Sequence, residues 1–395
     1  MAGDVEGKLS DLPSDLLGAI YRRCTSPYDR ARFAAVCVPW RAPLPVLPLL
    51  LPSTGNGRRD RATRAYSPED GRVLRAPLPW FPWDRRIVGC HDGGWVAAAT
   101  GSRIAVVNLF TRARVMLPPG QRNFPGRWPG RKISFEKIVF SKTPSSIGCI
   151  FAATTTNCNI AVCRLGLQYK SQWTRRWADG CPSFIDITFC NDELYGLSRR
   201  QTWVGERLEF YRLFIDRNKD DGPVVTTVEH LTTEGPIKPG IANYVFELRG
   251  KPAIAVEIRS HCKAQNFRVF ELTPYCGKTT VSYKYTWVEL TSLGDYALFL
   301  GPGCCKAVQV SAAVGMQGIV EANHIYYSSY WGSKNGLARL DLGSCAVYYC
   351  ESDGIECMIK SRGYHYRQND CEYNYGEKDG GNGHTSCTWV LPPHF

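Results

Sequence analysis

The chain has 395 residues, 44% of them hydrophobic, and 48 Lys/Arg against 36 Asp/Glu, a formal net charge of +12. That apolar share is ordinary for a globular protein, but the longest apolar run, residues 42–52, is short and broken by four prolines, which excludes it as a membrane span. Its 17 cysteines are odd in number in a long chain, which argues against a secreted disulfide framework.

In chain order, residues 1–8 are polar and partly acidic, carry no secretory signal, and read as a disordered N-terminus. The expected location is the cytoplasm and/or nucleus. Residues 9–42 then form a helical module. Pro13 suits a first helical position and Asp15 a first turn, where the helix dipole favours a carboxylate. Leu16, Leu17 and Ile20 share one apolar face, and the helix should stop near Cys24. Ser26 caps a second helix, with Pro27 at its start and Asp29 in its first turn. That helix carries Phe33, Val36 and Cys37, and Pro39 should end it near Val38, with Trp40 just beyond. Some thirty residues are too few to hold a core alone, so the apolar face must pack on the rest of the chain or on another protein.

The pattern Leu12-Pro13-x-Asp15-Leu16-Leu17-x-x-Ile20, followed by Phe33-x-x-Val36-Cys37-x-x-Trp40-Arg41, resembles an F-box. An F-box docks a substrate receptor on the Skp1-type adaptor of a cullin–RING ubiquitin ligase. The resemblance implies that Leu12, Pro13, Leu16, Leu17, Ile20, Val36, Cys37 and Trp40 line the adaptor contact. Pro39 stands where F-boxes usually have a basic or small residue, which implies a shortened third helix.

From residue 43 to 393 helical periodicity gives way to short β-branched and aromatic runs between Gly, Pro, Asn and Asp. Examples are Ile104-Ala-Val-Val, Ile185-Asp-Ile-Thr-Phe, Ala253-Ile-Ala-Val-Glu-Ile and His324-Ile-Tyr-Tyr. Leading strands recur near residues 88, 138, 185, 244 and 323, mostly about fifty residues apart, the length of one propeller blade. The interval from 244 to 323 is long enough to hide an extra strand pair. Asn191-Asp192 and Arg249-Gly250 read as two-residue turns between strands. The fold class is therefore mainly β: a short all-α module followed by a β-propeller of about six blades (five to seven), with a pair of β-sandwiches as the alternative. Residues 47–51 and Thr388-Trp389-Val390-Leu391 could share a closing blade, removing exposed sheet edges.

Val88-Gly-x-x-x-Gly-Gly-Trp95, Val107-Asn-Leu-Phe, Leu194-Tyr-Gly-Leu, the block from Trp287 to Gly301 and Asn323-His-Ile-Tyr-Tyr327 are similar to the plant KIB-type β-propeller. With the F-box this implies a substrate receptor. No substrate residue transfers, because the matching blocks read as blade structure.

Chemistry-bearing fragments are few. Gly277-Lys-Thr-Thr280 is the tail of a phosphate-binding loop whose leading glycine is replaced by Leu272. Gly301-Pro-Gly-Cys-Cys-Lys306 lacks the third glycine of a dinucleotide fingerprint and reads as a turn. Cys345, Cys350, Cys357, His365, Cys371, His384 and Cys387 lack paired zinc-ligand spacings, and residues 367–386 read as a mobile loop. Cys149 and Cys163 sit in apolar runs and read as buried hydrophobes. No catalytic signature, cofactor motif or metal site emerges.

One segment stands out by charge. Residues 103–176 hold thirteen Lys/Arg and a single acid, Glu136. Within it, Arg122, Arg127, Arg131 and Lys132 surround aromatic residues. The plainest reading is a solvated basic rim. The sharper one is a contact for an acidic or phosphorylated partner, since Arg forks suit phosphate oxygens. Nucleic acid ranks lower, because no nucleic-acid motif accompanies the cluster.

The sequence thus points to a non-catalytic receptor of a Skp1-cullin-F-box ubiquitin ligase that presents an unidentified protein target bound by the propeller. The alternative is a ligase-independent protein-binding propeller, or a binder of phosphoprotein or nucleic acid through residues 103–176.

Overall fold

The structure is a computed structural model. It describes residues 12–24, 27–41, 48–53, 63–67, 72–76, 86–100, 103–118, 135–155, 160–164, 173–176, 182–217, 222–259, 265–275, 284–310, 322–327, 348–351 and 386–391.

Helix α1 (Ser14–Arg23) takes Pro13 as its N-cap rather than its first residue, and the Leu17 N–H donates to the Pro13 carbonyl at 3.0 Å. Helix α2 (Pro27–Ala34) opens on Pro27 with Asp29 in its first turn. It ends four residues before the expected stop. Pro39 does not terminate it. Instead Pro39 lies in the first turn of a third helix, α3 (Val38–Arg41), where a missing N–H costs nothing.

The module does bury a small core of its own. Leu17, Tyr21 and Phe33 are buried, with Leu12, Ala34 and Trp40 packed against them. The Phe33 and Trp40 rings lie 4.5 Å apart. Arg30 is buried beneath them, its Nε donating to the Cys24 carbonyl at 3.0 Å and its guanidinium 5.1 Å from the Tyr21 ring centre.

The strands follow as β1 (Leu49–Ser53), β2 (Thr63–Ser67), β3 (Arg72–Ala76), β4 (Arg86–His91), β5 (Trp95–Thr100), β6 (Arg103–Asn108) and β7 (Arg114–Met116). Next come β8 (Phe135–Phe140), β9 (Ile150–Thr155), β10 (Ile160–Arg164), β11 (Thr174–Arg176), β12 (Phe184–Cys190), β13 (Glu193–Thr202), β14 (Gly205–Asp216), β15 (Val224–His230) and β16 (Thr233–Glu234). The last are β17 (Ala242–Leu248), β18 (Lys251–Arg259), β19 (Gln265–Pro274), β20 (Tyr285–Glu289), β21 (Tyr296–Leu300), β22 (Lys306–Gln309), β23 (His324–Tyr327), β24 (Tyr348–Glu351) and β25 (Ser386–Val390).

These strands form six sheets. Blade 1 is β4 to β7, blade 2 is β8 to β11, and blade 3 is β12 to β15. Blade 4 is β17 to β20 with β16 added in parallel at its outer edge. The sixth, closing blade runs β25-β1-β2-β3, and β25 pairs antiparallel with β1 from Leu49↔Val390 to Ser53↔Ser386. The two distant stretches therefore close one sheet, as their sequences suggested. Blade 5 departs from the simple order. Its sheet runs β22-β21-β23-β24, with β21 and β23 parallel. The strand at residue 323 is thus the third across its sheet and not a leading strand, and β21 and β22 are the extra pair within the long interval.

Adjacent blades pack face to face through apolar layers, so middle strands are buried on both sides, as in Ile150–Thr155. Close approach demands glycine in places: a Cβ on Gly89 would sit 2.0 Å from the Ile138 carbonyl oxygen of the next blade. Blade 5 meets the closing blade at Trp389, which is fully buried, lies 5.1 Å from the Phe299 ring and donates from Nε1 to the Leu300 carbonyl at 2.9 Å. The turns at Asn191-Asp192 and Arg249-Gly250 have positive φ at both residues (49° and 64°, 52° and 74°), the geometry whose twist suits tight hairpins.

Candidate functional site at the propeller mouth

The inner strands converge on a cavity of about 490 Å³ to which all six blades contribute. Its walls carry charge that local sequence does not reveal. Lys137 on β8 and Asp186 on β12 are both buried and form an ion pair. Asp186 Oδ1 also accepts from the Ile187 N–H at 2.9 Å, and its Oδ2 from the Val245 N–H on β17 at 2.8 Å. One carboxylate thus joins blades 2, 3 and 4. Burial works to lower the Lys137 pKa, but Asp186 together with the Cys305 and Cys304 thiols outweighs it and the net shift is upward.

A second pair joins Lys306, at the start of β22, to Asp92 at 2.9 Å. Asp92 lies in the turn between β4 and β5. Partial desolvation in the turn would raise its pKa, yet Lys306 holds the half-exposed carboxyl below the usual carboxylate range. Beside it, burial and Lys306 push the His91 pKa down, and the His91 ring stands edge-on to Phe140 at 5.8 Å.

Three thiols complete the lining. Cys90, from blade 1, and Cys304, from the turn between β21 and β22, belong to one apolar cluster and line the same cavity. Interaction with the Cys90 thiol holds the Cys304 thiol below its ordinary pKa against burial, and Lys306 and Lys137 add to the effect. Cys90 itself is pushed well up, chiefly by burial. Cys305 is also raised by burial, to about 12, and its Sγ donates to the Gly301 carbonyl at 3.3 Å.

Hydrogen bonds between rim loops hold the mouth in shape. Asn191 Nδ2 donates to the Gly250 carbonyl at 2.7 Å, and Arg249 Nη2 to the Leu293 carbonyl at 2.6 Å. Among the described residues, no group of three or more His, Cys, Asp or Glu could hold a metal ion.

The helical module is anchored near this rim. Tyr28 of α2 packs on Phe110 at 5.8 Å, and Phe110 lies over Gly94 in the turn that carries Asp92. Gly94 has φ +82°, and a Cβ there would lie 2.3 Å from the Phe110 ring.

The structure separates the eight residues expected to face an adaptor. Leu16, Ile20 and Val36 are 49%, 40% and 58% exposed, and Pro13 is exposed with them. Leu12, Cys37 and Trp40 are half-buried. Leu17 is only 1% exposed, which corrects its place: as an apolar side chain beside aromatic rings it belongs to the module's core and not to its surface. Val38, 64% exposed, joins the outer face.

Arg122, Arg127, Arg131 and Lys132 lie outside the described residues, as do residues 1–8 and most of the 367–386 loop. So do the phosphate-loop fragment and all of the late Cys/His series except Cys350 and Cys387. Of the basic segment, Lys137 is not on a solvated rim, since it faces the cavity and pairs with Asp186. Sequence reasoning missed the charged walls because their members come one per strand from different blades. It also missed Trp203 and Val204, 97% and 77% exposed at the tip of the long β13–β14 hairpin.

A ring of blades around a walled mouth defines a β-propeller protein. A family model described as the KIB1-4 beta-propeller matches residues 65–355, most of the chain, and the chain belongs to that family. No curated protein matches it. Among solved structures, an α-L-arabinofuranosidase from Clostridium thermocellum is 14% identical with a TM-score of 0.31, covering 53% of this chain and 72% of its own. A luciferin-regenerating enzyme is 10% identical with a TM-score of 0.31, covering 64% of this chain and 79% of its own. At those scores neither bears on this chain's chemistry.

Proposed function

We propose that this protein is the substrate receptor of a Skp1-cullin-F-box ubiquitin ligase, working in the cytoplasm and/or nucleus, and that it is not itself an enzyme. The observation that carries the reading is the outer face of the helical module. Leu16 and Ile20 stand one turn apart on α1, both exposed, with Val36 between α2 and α3 and Val38 at the start of α3 exposed as well. A self-sufficient cap would turn these side chains inward. Burying each on a Skp1-type adaptor would contribute on the order of 1 kcal/mol.

The propeller supplies the second half. Its mouth is walled and pre-shaped, as a target-binding surface needs, and the Tyr28–Phe110 contact ties the module to the same rim. A protein target held there gains effective concentration at the transferring enzyme, which requires no catalytic group in the receptor. Reconstitution with a Skp1-type adaptor and a cullin–RING core tests the assembly. The chain should enter the complex, and Leu16→Asp with Ile20→Asp should remove it. Unchanged assembly of the double variant would refute the docking face.

The Tyr28–Phe110 contact also favours a second reading, a ligase-independent binding propeller capped by its helices. That reading expects no adaptor to co-purify and the body to aggregate once residues 1–42 are removed.

A further inference from the structure

Cys90 and Cys304 come from blades 1 and 5, yet they meet in one wall of the mouth, 9% and 4% exposed. Both are free thiols. Their surroundings differ from those of the other buried cysteines. Cys163 sits in an all-apolar layer and burial pushes its thiol up to about 12. Cys304 instead lines the cavity under two ammoniums: Lys306, which pairs with Asp92 at 2.9 Å and also acts on Cys90, and Lys137, which acts on Cys304 alone of the two thiols. The low-pKa thiolate is the nucleophilic form, and a partner thiol in contact is what resolves its oxidation product.

We propose that Cys304 and Cys90 form a hydroperoxide-sensing dithiol site in the propeller mouth, with Cys304 the attacking and Cys90 the resolving sulfur. The Cys304 thiolate attacks one oxygen of hydrogen peroxide. An S–O bond forms, the O–O bond breaks, and hydroxide leaves, taking up a proton to become water. Cys304 is then a sulfenic acid, its sulfur oxidised by two electrons. Cys90 attacks that sulfur, the S–S bond forms and the S–O bond breaks. The second hydroxide takes the Cys90 proton and leaves as water. Two thiols and one peroxide thus give one disulfide and two waters.

The location gives the bond a mechanical consequence. Gly303 beside Cys304 abuts both Thr388 on β25 and the Ile87 carbonyl on β4, the strand that carries Cys90. Both cysteines also belong to the apolar cluster that holds Leu49, Leu51 and Val390. A Cys90–Cys304 disulfide therefore staples the ring where its two ends are joined, and it covalently reshapes one wall of the mouth.

The test uses the full chain, reduced and then exposed to stepwise hydrogen peroxide, alkylated, digested and read by mass spectrometry. The expected product is a linked Cys90–Cys304 peptide that dithiothreitol reverses, accompanied by a rise in the thermal midpoint. Cys90→Ser should arrest Cys304 as a dimedone-trappable sulfenic acid, and Cys304→Ser should abolish both species. The wild-type chain gives a readout that needs no variant. Cys304 should react more than about tenfold faster than Cys305 or Cys163. Equal rates among these cysteines, or a Cys304–Cys305 link in place of Cys90–Cys304, would overturn the proposal.

Discussion

The helical module and the propeller mouth treat side chains in opposite ways. In the module, apolar groups face outward: Leu16 is 49% exposed while its neighbour Leu17 is 1% exposed. In the mouth, charged groups face inward and are paired, as Lys137 is with Asp186 and Lys306 with Asp92. The module gains by losing contact with water, which suits docking on another apolar surface. The mouth is already satisfied internally, which suits a rigid wall that keeps its shape. One region is built to be covered and the other to hold an outline.

The comparison breaks most visibly at Lys137. Lys137→Ala leaves the Asp186 carboxylate buried without its cation, and it should lower the unfolding free energy by about 3–5 kcal/mol in denaturant titration. A loss below about 1 kcal/mol would mean that water already reaches this wall.

Glu209 sharpens the same point through pH. Its buried carboxylate accepts from Arg207 Nη2 at 2.6 Å and from the Tyr211 hydroxyl at 2.7 Å. Burial alone would raise its pKa, but Tyr211 and Arg207 outweigh burial and hold it low. A carboxylate depressed in the folded state adds stability above its unfolded pKa, about 4.3, and loses it as pH falls through the folded value. Stability of the wild type should therefore fall in acid below about pH 4. Glu209→Gln should cost about 1.5–3 kcal/mol near pH 7 and should flatten that acid limb. An acid limb as steep in the variant as in the wild type would move the titrating group elsewhere.

The smallest expected effect is at Trp203. It is almost fully exposed and has little to lose on truncation, so Trp203→Ala should change stability by no more than about 0.5 kcal/mol. A larger loss would show that the hairpin tip is packed in solution.

These regions were unequally legible in the sequence. The strands could be read because β-branched runs and two-residue turns leave a local signature, and Asn191-Asp192 and Arg249-Gly250 are hairpin turns with the expected geometry. The closing blade was legible from two apolar stretches at opposite ends of the body. The helices could be placed, but not which apolar side chains face out: Leu16 and Leu17 are equally apolar, and only packing on Tyr21 and Phe33 separates them. The order in blade 5 was hidden, because β23 takes its place through long-range parallel pairing with β21, Leu298↔Ile325 to Leu300↔Tyr327. The mouth was hidden for the same reason. Lys137, Asp186 and Lys306 are isolated in sequence and become a site only when the ring closes.

The most direct test of the adaptor reading is calorimetric titration of the purified full chain with a Skp1-type adaptor, comparing wild type with Leu16→Asp. The expected result is binding weakened by more than about thirtyfold, some 2 kcal/mol, with the thermal midpoint of the chain unchanged. An affinity for Leu16→Asp within about twofold of wild type would contradict the account.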